Sequence, residues 1–514
     1  MSSIFDTIRA EAQKVAQATV AQASQLQGFA ARSALTQPTD GFTLPPTADG
    51  KVFYGYQLAA VQTAILFRRS VVGFAPGMGK TMVALAVANH VATVEGGRTV
   101  VVCPPSLRFD PWEREVRAQY PHLQVEVLNA SAEATIPTAD VLIVPDSVTL
   151  TRRLNDILAW GPTALVVDEA QRIKSRTAKR SKAVWALADA LPADGIVLPL
   201  SGTIAKTAAD DVWSTWRALG PAALRALAGA TSYSAFQSRW CITQWNPWAN
   251  KQDTIGIRDE AELHLGLRAT GYVRVERAEV LDMPAKVWVE RDLELNGDLR
   301  EYRRMERGFL AWVAEAQGDD ALKRASKAEA ITKLNLLWKE AGKAKAAASA
   351  EYVQALVDAG EQVVVMGWHK SAIANFTRHL AANGTTVVQV VGGMTPQAKV
   401  DAQDAFRAGD AQVLVANIIS GGTGLNLEVA AHLVFLQTCW SPGDIIQASD
   451  RIYRVTQRRD CTVHVLNASG TVDDRLWNVL KFRADLLDAV NSGRADVTIS
   501  TGSVEEAVLA DYGW

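Results

Sequence analysis

Apolar and polar positions along this chain fall into repeating blocks. From Val52 onward, short β-branched runs lead into polar turns, and the turns lead into longer stretches with helical spacing. Val71-Val72, Thr99–Cys103, Val141–Val144 and Leu165–Val167 read as buried strands, and Leu198–Thr203 as a strand running into a turn. Tyr54–Phe67 and the run MVALAVA after Thr81 read as helices. A second series predicts strands at Gln362–Met366, Thr386–Val391, Gln412–Ala416 and Leu433–Leu436. Helices fall at His369–Leu380, Thr395–Arg407 and Gln447–Arg454. Strand–loop–helix repetition implies an α/β fold with parallel sheets and ligands at the strands' C-terminal ends. Outside the two series the pattern changes. Residues 3–35 have helical spacing, and Thr36–Gly50 carries Pro38, Pro45 and Pro46 as a linker. Residues 204–345 read as mostly helical, with short strands within Arg268–Val280 and Val287–Leu293.

Composition narrows the class. A chain of 514 residues exceeds a single core, so two or more domains are expected. A net charge of −2 confines any nucleic-acid contact to a local cleft. Cys103, Cys241, Cys439 and Cys461 are far apart and form no C-x-x-C, so they read as buried thiols. The seven histidines are scattered and form no metal-binding cluster. No apolar run approaches the roughly 20 residues of a membrane span. Without a signal-peptide pattern, the expected location is the cytoplasm.

The chemistry centres on Val71–Thr81, VVGFAPGMGKT. A strand, a loop holding Gly77 and Gly79, then Lys80 and Thr81 opening a helix make a phosphate cradle. Backbone N–H groups turn inward, Lys80 reaches the β- and γ-phosphates, and Thr81 offers its hydroxyl to Mg²⁺. Pro76 and Met78 complete the loop, and Phe74 stands where the strict pattern has glycine. The Gln57 amide has the donor and acceptor pair that suits an adenine edge. Asp168 and Glu169 end a buried strand. One would hold Mg²⁺ and the other would orient or deprotonate water, although an acid pair there can also cap the next helix. Arg451 and Arg454, spaced i and i+3, would share one helix face. In a half without its own phosphate loop, they read as cations supplied to a nucleotide held elsewhere. A surface ion-pair set is the alternative.

In order, these stretches resemble the motif set of superfamily 2 helicases, and more narrowly the Swi/Snf-type DNA-dependent ATPases. The most specific pieces are PPSLRFDPWEREV, VVDEAQRIKS, the S-G-T of LSGTIAKT, GGTGLNL and WSPGDIIQASDRIYRVTQ. GKAKAAASAEYVQAL, VVVMGWHKSAIANF and SGTVDDRLW are most similar to the compact annealing-helicase and fork-remodelling branch. The resemblance implies two RecA-like lobes with ATP between them, over residues 51–225 and 346–490. A helical protrusion at 226–345 would separate them, flanked by an N-terminal segment 1–50 and a tail 491–514. It implies that Gln57 contacts adenine, that Ser201, Gly202 and Thr203 couple hydrolysis to lobe movement, and that Gly424 and Gln447 line the nucleotide side of lobe two. Arg451 and Arg454 become arginine fingers. Pro105, Ser106, Asp146, Ser147, Gly392, Gly393 and Trp440 fall where the family touches or borders DNA. The implied partner is double-stranded or forked DNA, with DNA-bound proteins as further targets. The implied molecule is a monomeric, nucleoid-associated motor. Three departures stand out: Phe74-Ala75-Pro76 in the loop, Gln171 for the usual histidine, and Ile204–Thr207 after S-G-T. An RNA helicase and a non-hydrolysing nucleic-acid clamp are the competing expectations.

Overall fold

The computed structural model describes residues 35–130, 138–202, 204, 210–246, 251–275, 277–293, 299–316, 327–418, 425, 427–481 and 504–512. The helix expected over 3–35 lies outside the described residues, as do Thr203 and Gly424.

Hydrophobic alternation builds two parallel sheets. The first half starts with helix α1 (Gly55–Phe67), strand β1 (Val71–Val72) and helix α2 (Lys80–Thr93). Strands β2 (Thr99–Cys103), β3 (Val125–Val127), β4 (Val141–Pro145), β5 (Ala164–Val167) and β6 (Ile196–Pro199) follow and pair in the order β3-β4-β2-β5-β6. In β2, Val100 and Val102 face one core while Val101 and Cys103 face another, because side chains alternate across a strand. Both faces are therefore covered, as an all-parallel sheet requires. β1 joins through parallel bridges from Arg69 to Val197 and Val72 to Leu200.

The second half has a six-stranded sheet. Its strands are β10 (Lys286–Leu293), β11 (Val363–Gly367), β12 (Val387–Val390), β13 (Val413–Asn417), β14 (His432–Phe435) and β15 (Cys461–Ala468), in the order β10-β15-β14-β11-β13-β12. All its pairings are parallel.

The expected protrusion over 226–345 is corrected. Helices Asp211–Leu219, Pro221–Ala228, Tyr233–Trp240 and Glu260–Thr270 share one core with the first sheet. An antiparallel hairpin, β7 (Cys241–Asn246) with β8 (Lys251–Ile257), interrupts what was read as helical. Strand β9 (Tyr272–Val273) pairs in parallel with β1, so the first half ends near Val275 and not at 225. Lys286–Leu293 is the edge strand of the second sheet, so that half begins well before 346. Helices Arg300–Ala316 and Lys327–Ala344 also pack into the second core.

Two terminal expectations change as well. The linker is strapped to α1, where Gln62 exchanges hydrogen bonds with the Thr39 backbone at 2.9 Å each. Within the expected tail, helix Val504–Asp511 inserts Val504, Val508 and Leu509 into the second core.

Candidate nucleotide site and nucleic-acid interface

The phosphate loop connects β1 to α2. Gly77 and Gly79 have φ of 81° and 79°, left-handed values that admit the tight turn only without a Cβ. A Cβ at Gly79 would also lie 2.3 Å from Gln57 Nε2. Phe74 takes the place of a loop glycine because its ring is fully buried, edge-on to Tyr56 at 5.3 Å, and only its carbonyl faces the loop. Lys80 Nζ donates to Phe74 O at 2.9 Å and Ala75 O at 3.3 Å. Its surroundings lower the ammonium to about 8, chiefly by desolvation, against the pull of Glu169 and Asp168. Met78 is fully buried, while Pro76 and Thr81 line the cleft.

Gln57 does not present a free amide edge. Its Nε2 donates to Met78 O at 3.2 Å, and its Oε1 accepts from Tyr54 N at 3.0 Å. Together with Tyr56 OH, which donates to Met78 O at 3.1 Å, it braces the loop. The adenine-reading expectation is corrected for this conformation. The capping geometry at the start of α1 consumes the groups that would read a base.

The acid pair follows β5. Asp168 Oδ2 accepts from the Trp112 indole N–H at 2.8 Å, and Oδ1 accepts from Glu169 N at 2.9 Å. Burial, with the Glu169 charge beside it, raises Asp168 to about 7. Glu169 has φ of 50° and is one of three described non-glycine residues with positive φ. Such backbone strain is held by surrounding contacts. Its carboxylate accepts from Gln171 Nε2, and Gln171 Oε1 accepts from Ser201 Oγ at 2.7 Å. Gln171, in the family's histidine position, thus links the S-G-T strand end to Glu169. Gly202 packs against Pro76, where a Cβ would meet the proline ring at 2.9 Å.

From the second half, helix α3 (Pro442–Ser449) places Gln447 Nε2 2.9 Å from Glu169 Oε1, where it donates a hydrogen bond across the cleft. The helix ends at Ser449, before both arginines, so the shared helix face expected for them is corrected. Arg451 and Arg454 sit in the turn that follows. Gln457 braces that turn by donating to the carbonyls of Glu428, Ala430 and Ile452. Arg451 is buried, and desolvation lowers its guanidinium despite Glu169 nearby. Arg454, lowered to about 10 by desolvation and then by Arg451, donates to Leu425 O at 2.7 Å. A Cβ on Gly77 would lie 3.2 Å from Arg454 Cα, so the phosphate loop and the arginine turn touch. Cradle, acids, Gln447 and both arginines line one cleft of about 640 Å³.

The expected nucleic-acid residues divide. Pro105 and Ser106 are exposed beyond β2, Ser147 is part-exposed beyond β4, and Gly392 and Gly393 lie beyond β12. All are at the C-terminal ends of their sheets. Asp146 is corrected: it is buried and accepts from Arg172 at 2.6 and 3.1 Å, with Arg180 at 3.3 Å. A paired carboxylate fixes the loop and repels phosphate. Trp440 is part-exposed; it packs edge-on to Trp338 at 4.9 Å and donates to Asn335 Oδ1 at 3.2 Å, against the second core.

The sequence reading missed three residues at this site. Trp112 fixes Asp168, Arg274 donates to Gly73 O at 2.9 Å, and Arg277 donates to Pro76 O at 2.5 Å. Trp112 gave a faint signal, an aromatic within the polar run RFDPWERE. The two arginines gave none, because their partners are 201 positions away.

Two parallel-sheet halves with a phosphate loop on one and arginines on the other define a helicase-type nucleotide-hydrolase core. The SNF2-related domain matches residues 71–227, and the helicase conserved C-terminal domain matches residues 345–456. The chain is an SNF2-type member of helicase superfamily 2, near its annealing-helicase branch. The mouse protein titled DNA annealing helicase and endonuclease ZRANB3 is 26% identical over 452 residues, 84% of this chain and 40% of that protein. A Xenopus tropicalis SWI/SNF-related matrix-associated actin-dependent regulator of chromatin subfamily A-like protein 1 is 25% identical over 432 residues, 84% of this chain and 44% of that one. The chain thus spans about two-fifths of the length of these relatives. A Sulfolobus solfataricus SWI2/SNF2 ATPase core, solved in complex with dsDNA, aligns at 22% identity over 88% of this chain and 95% of that one, with a TM-score of 0.41.

Proposed function

We propose that this protein hydrolyses ATP to move along double-stranded DNA, rewinding or remodelling it or displacing bound proteins. The observation that carries the reading is the Gln447–Glu169 hydrogen bond of 2.9 Å, which brings the two partial sites into one cleft. Lys80 and the loop N–H groups hold the phosphates. Glu169, aimed by Gln171 and Gln447, orients and deprotonates the attacking water. Arg451 and Arg454 stabilise charge on the transferring phosphoryl group.

Mg²⁺ fits these residues: the Asp168 carboxylate is buried beside Glu169, a setting that favours a divalent cation, and Thr81 lines the same cleft with its hydroxyl-bearing side chain. Bound there, Mg²⁺ would neutralise phosphate charge. Short polar side chains and loop N–H groups at Pro105–Ser106, Ser147 and Gly392–Gly393 grip DNA phosphates, which carry no base information. Relatives titled as acting on DNA, and not RNA, favour DNA as the track.

The test is ATP turnover at low salt with no nucleic acid, duplex DNA, forked DNA and structured RNA. Stimulation by duplex or fork is expected. Equal rates throughout, or stimulation by RNA alone, would refute the DNA motor.

A further inference from the structure

We propose that Arg277 is a positioning residue that couples the phosphate loop to the arginine turn through Asp450. The proposal rests on the ATP-hydrolysis reading above. Arg277 lies in the segment joining the halves, just after β9. Its Nη2 donates to Pro76 O at 2.5 Å, in the first half. The same Nη2 lies 3.6 Å from Asp450 Oδ2 in the second half, and its guanidinium lies over the Tyr453 ring at 4.7 Å. Pro76 opens the phosphate loop, and Asp450 directly precedes Arg451. One planar group therefore touches both the cradle and the base of the arginine turn.

The far end of the segment grips the same turn. Lys286 Nζ donates to Asp450 Oδ1 and to Ser449 Oγ, each at 2.7 Å, and Tyr453 OH donates to Pro284 O at 2.8 Å. Burial alone would raise Asp450, but Lys286 and Arg277 outweigh it and keep the carboxylate ionised. The hydrogen bonds and ring contacts of Lys286 go to Ser449, Asp450, Trp288 and Tyr453, with none to the loop among the described residues. Arg277 therefore carries a signal that Lys286 does not. A guanidinium has several donors in a fixed fork, so displacing Pro76 pulls on Asp450 and on Arg451 beside it. Filling the cradle with phosphate reorients the loop backbone, and Arg277 passes that change to the turn.

Two readouts test this on the full chain. The first is hydrogen exchange of residues 449–455 on adding a non-hydrolysable ATP analogue. The second is the split between kcat and KM for ATP. In the unmodified protein the analogue should slow exchange in that segment. Arg277→Ala should bind the analogue within about 3-fold, lose the exchange response, and lower kcat about 10–100-fold with little change in KM. Arg277→Lys should restore part of kcat, and Lys286→Ala should keep the exchange response. The proposal is overturned if Arg277→Ala keeps the response or if Lys286→Ala loses it equally. It is also overturned if the unmodified segment does not respond to nucleotide. Absence of hydrolysis by an unmodified chain that still shows the response would sink the ATPase reading alone.

Discussion

The two halves share one architecture and present opposite charge to each other. The first half brings Asp168 and Glu169 to its sheet's C-terminal edge, with Lys80 between loop carbonyls. The second half brings Arg451, buried, and Arg454, part-buried, both with guanidiniums lowered by desolvation. Burial in the cleft raises the acid and lowers the arginines, so both sides of the cleft hold charges that desolvation disfavours. Glu169 and Asp168 offset part of that cost for Arg451 across the cleft, and a bound phosphate with its cation would offset more. On the function proposed above, the same parallel sheet serves as a binder in one half and an activator in the other, by the choice of residues after the strands.

The comparison can be broken most severely at the cradle. Lys80→Ala should reduce ATP turnover by about 10³-fold or more, measured as phosphate release, because Lys80 is the cation whose Nζ sits among the loop carbonyls of Phe74 and Ala75. On the opposite side, Arg451→Ala should lower kcat by about 10³-fold while nucleotide binding, measured by fluorescent analogue, stays close to normal. Equal damage to binding would mean that both halves bind and neither activates. A smaller effect comes from pH. Burial and the Glu169 charge push Asp168 up to about 7, so Mg²⁺-nucleotide affinity should strengthen as pH rises from 6 to 8, and Asp168→Asn should flatten that profile. Stability should run the other way in the protein without nucleotide. The folded carboxyl holds its proton more tightly than the unfolded one between about 4 and about 7, so this group's contribution falls as pH rises through that window. Calorimetry of the unmodified protein and Asp168→Asn would separate it. Gln171→Ala, which frees Glu169 from Ser201, should cost about 10-fold in kcat, as expected of a residue that orients a catalytic base. Least of all, Trp440→Phe should change DNA affinity by less than about 2-fold at fixed salt, since its ring serves a core and not a phosphate.

Local pattern made the cradle and acid pair readable. A buried strand, two glycines and Lys-Thr announce themselves within a dozen positions, and so does a strand ending in Asp-Glu. Strand limits such as Thr99–Cys103 were legible for the same reason. The short strand expected within Arg268–Val280 is β9, but its place in the first sheet was not legible, because a two-residue strand is placed only by its partner β1, about 200 positions earlier. β10 was expected within Val287–Leu293, but its membership of the second sheet was obscured in another way. It is an edge strand with most side chains exposed, so it lacks the apolar run of a central one. The arginine turn looked helical because i and i+3 spacing is also compatible with a turn, and buried contacts from Gln457 decided the matter. The inward turn of Gln57 was hidden too, since an amide gives no sign of which neighbour will claim it.

The segment between β9 and β10 is the single crossing between the halves among the described residues, and it is about a dozen residues long. Such a tether sets the local concentration of one partial site around the other at roughly millimolar levels, whatever the bulk concentration. The expected outcome is a specific activity that does not change on dilution from micromolar to nanomolar, and a loss on dilution would show that the two partial sites come from different molecules.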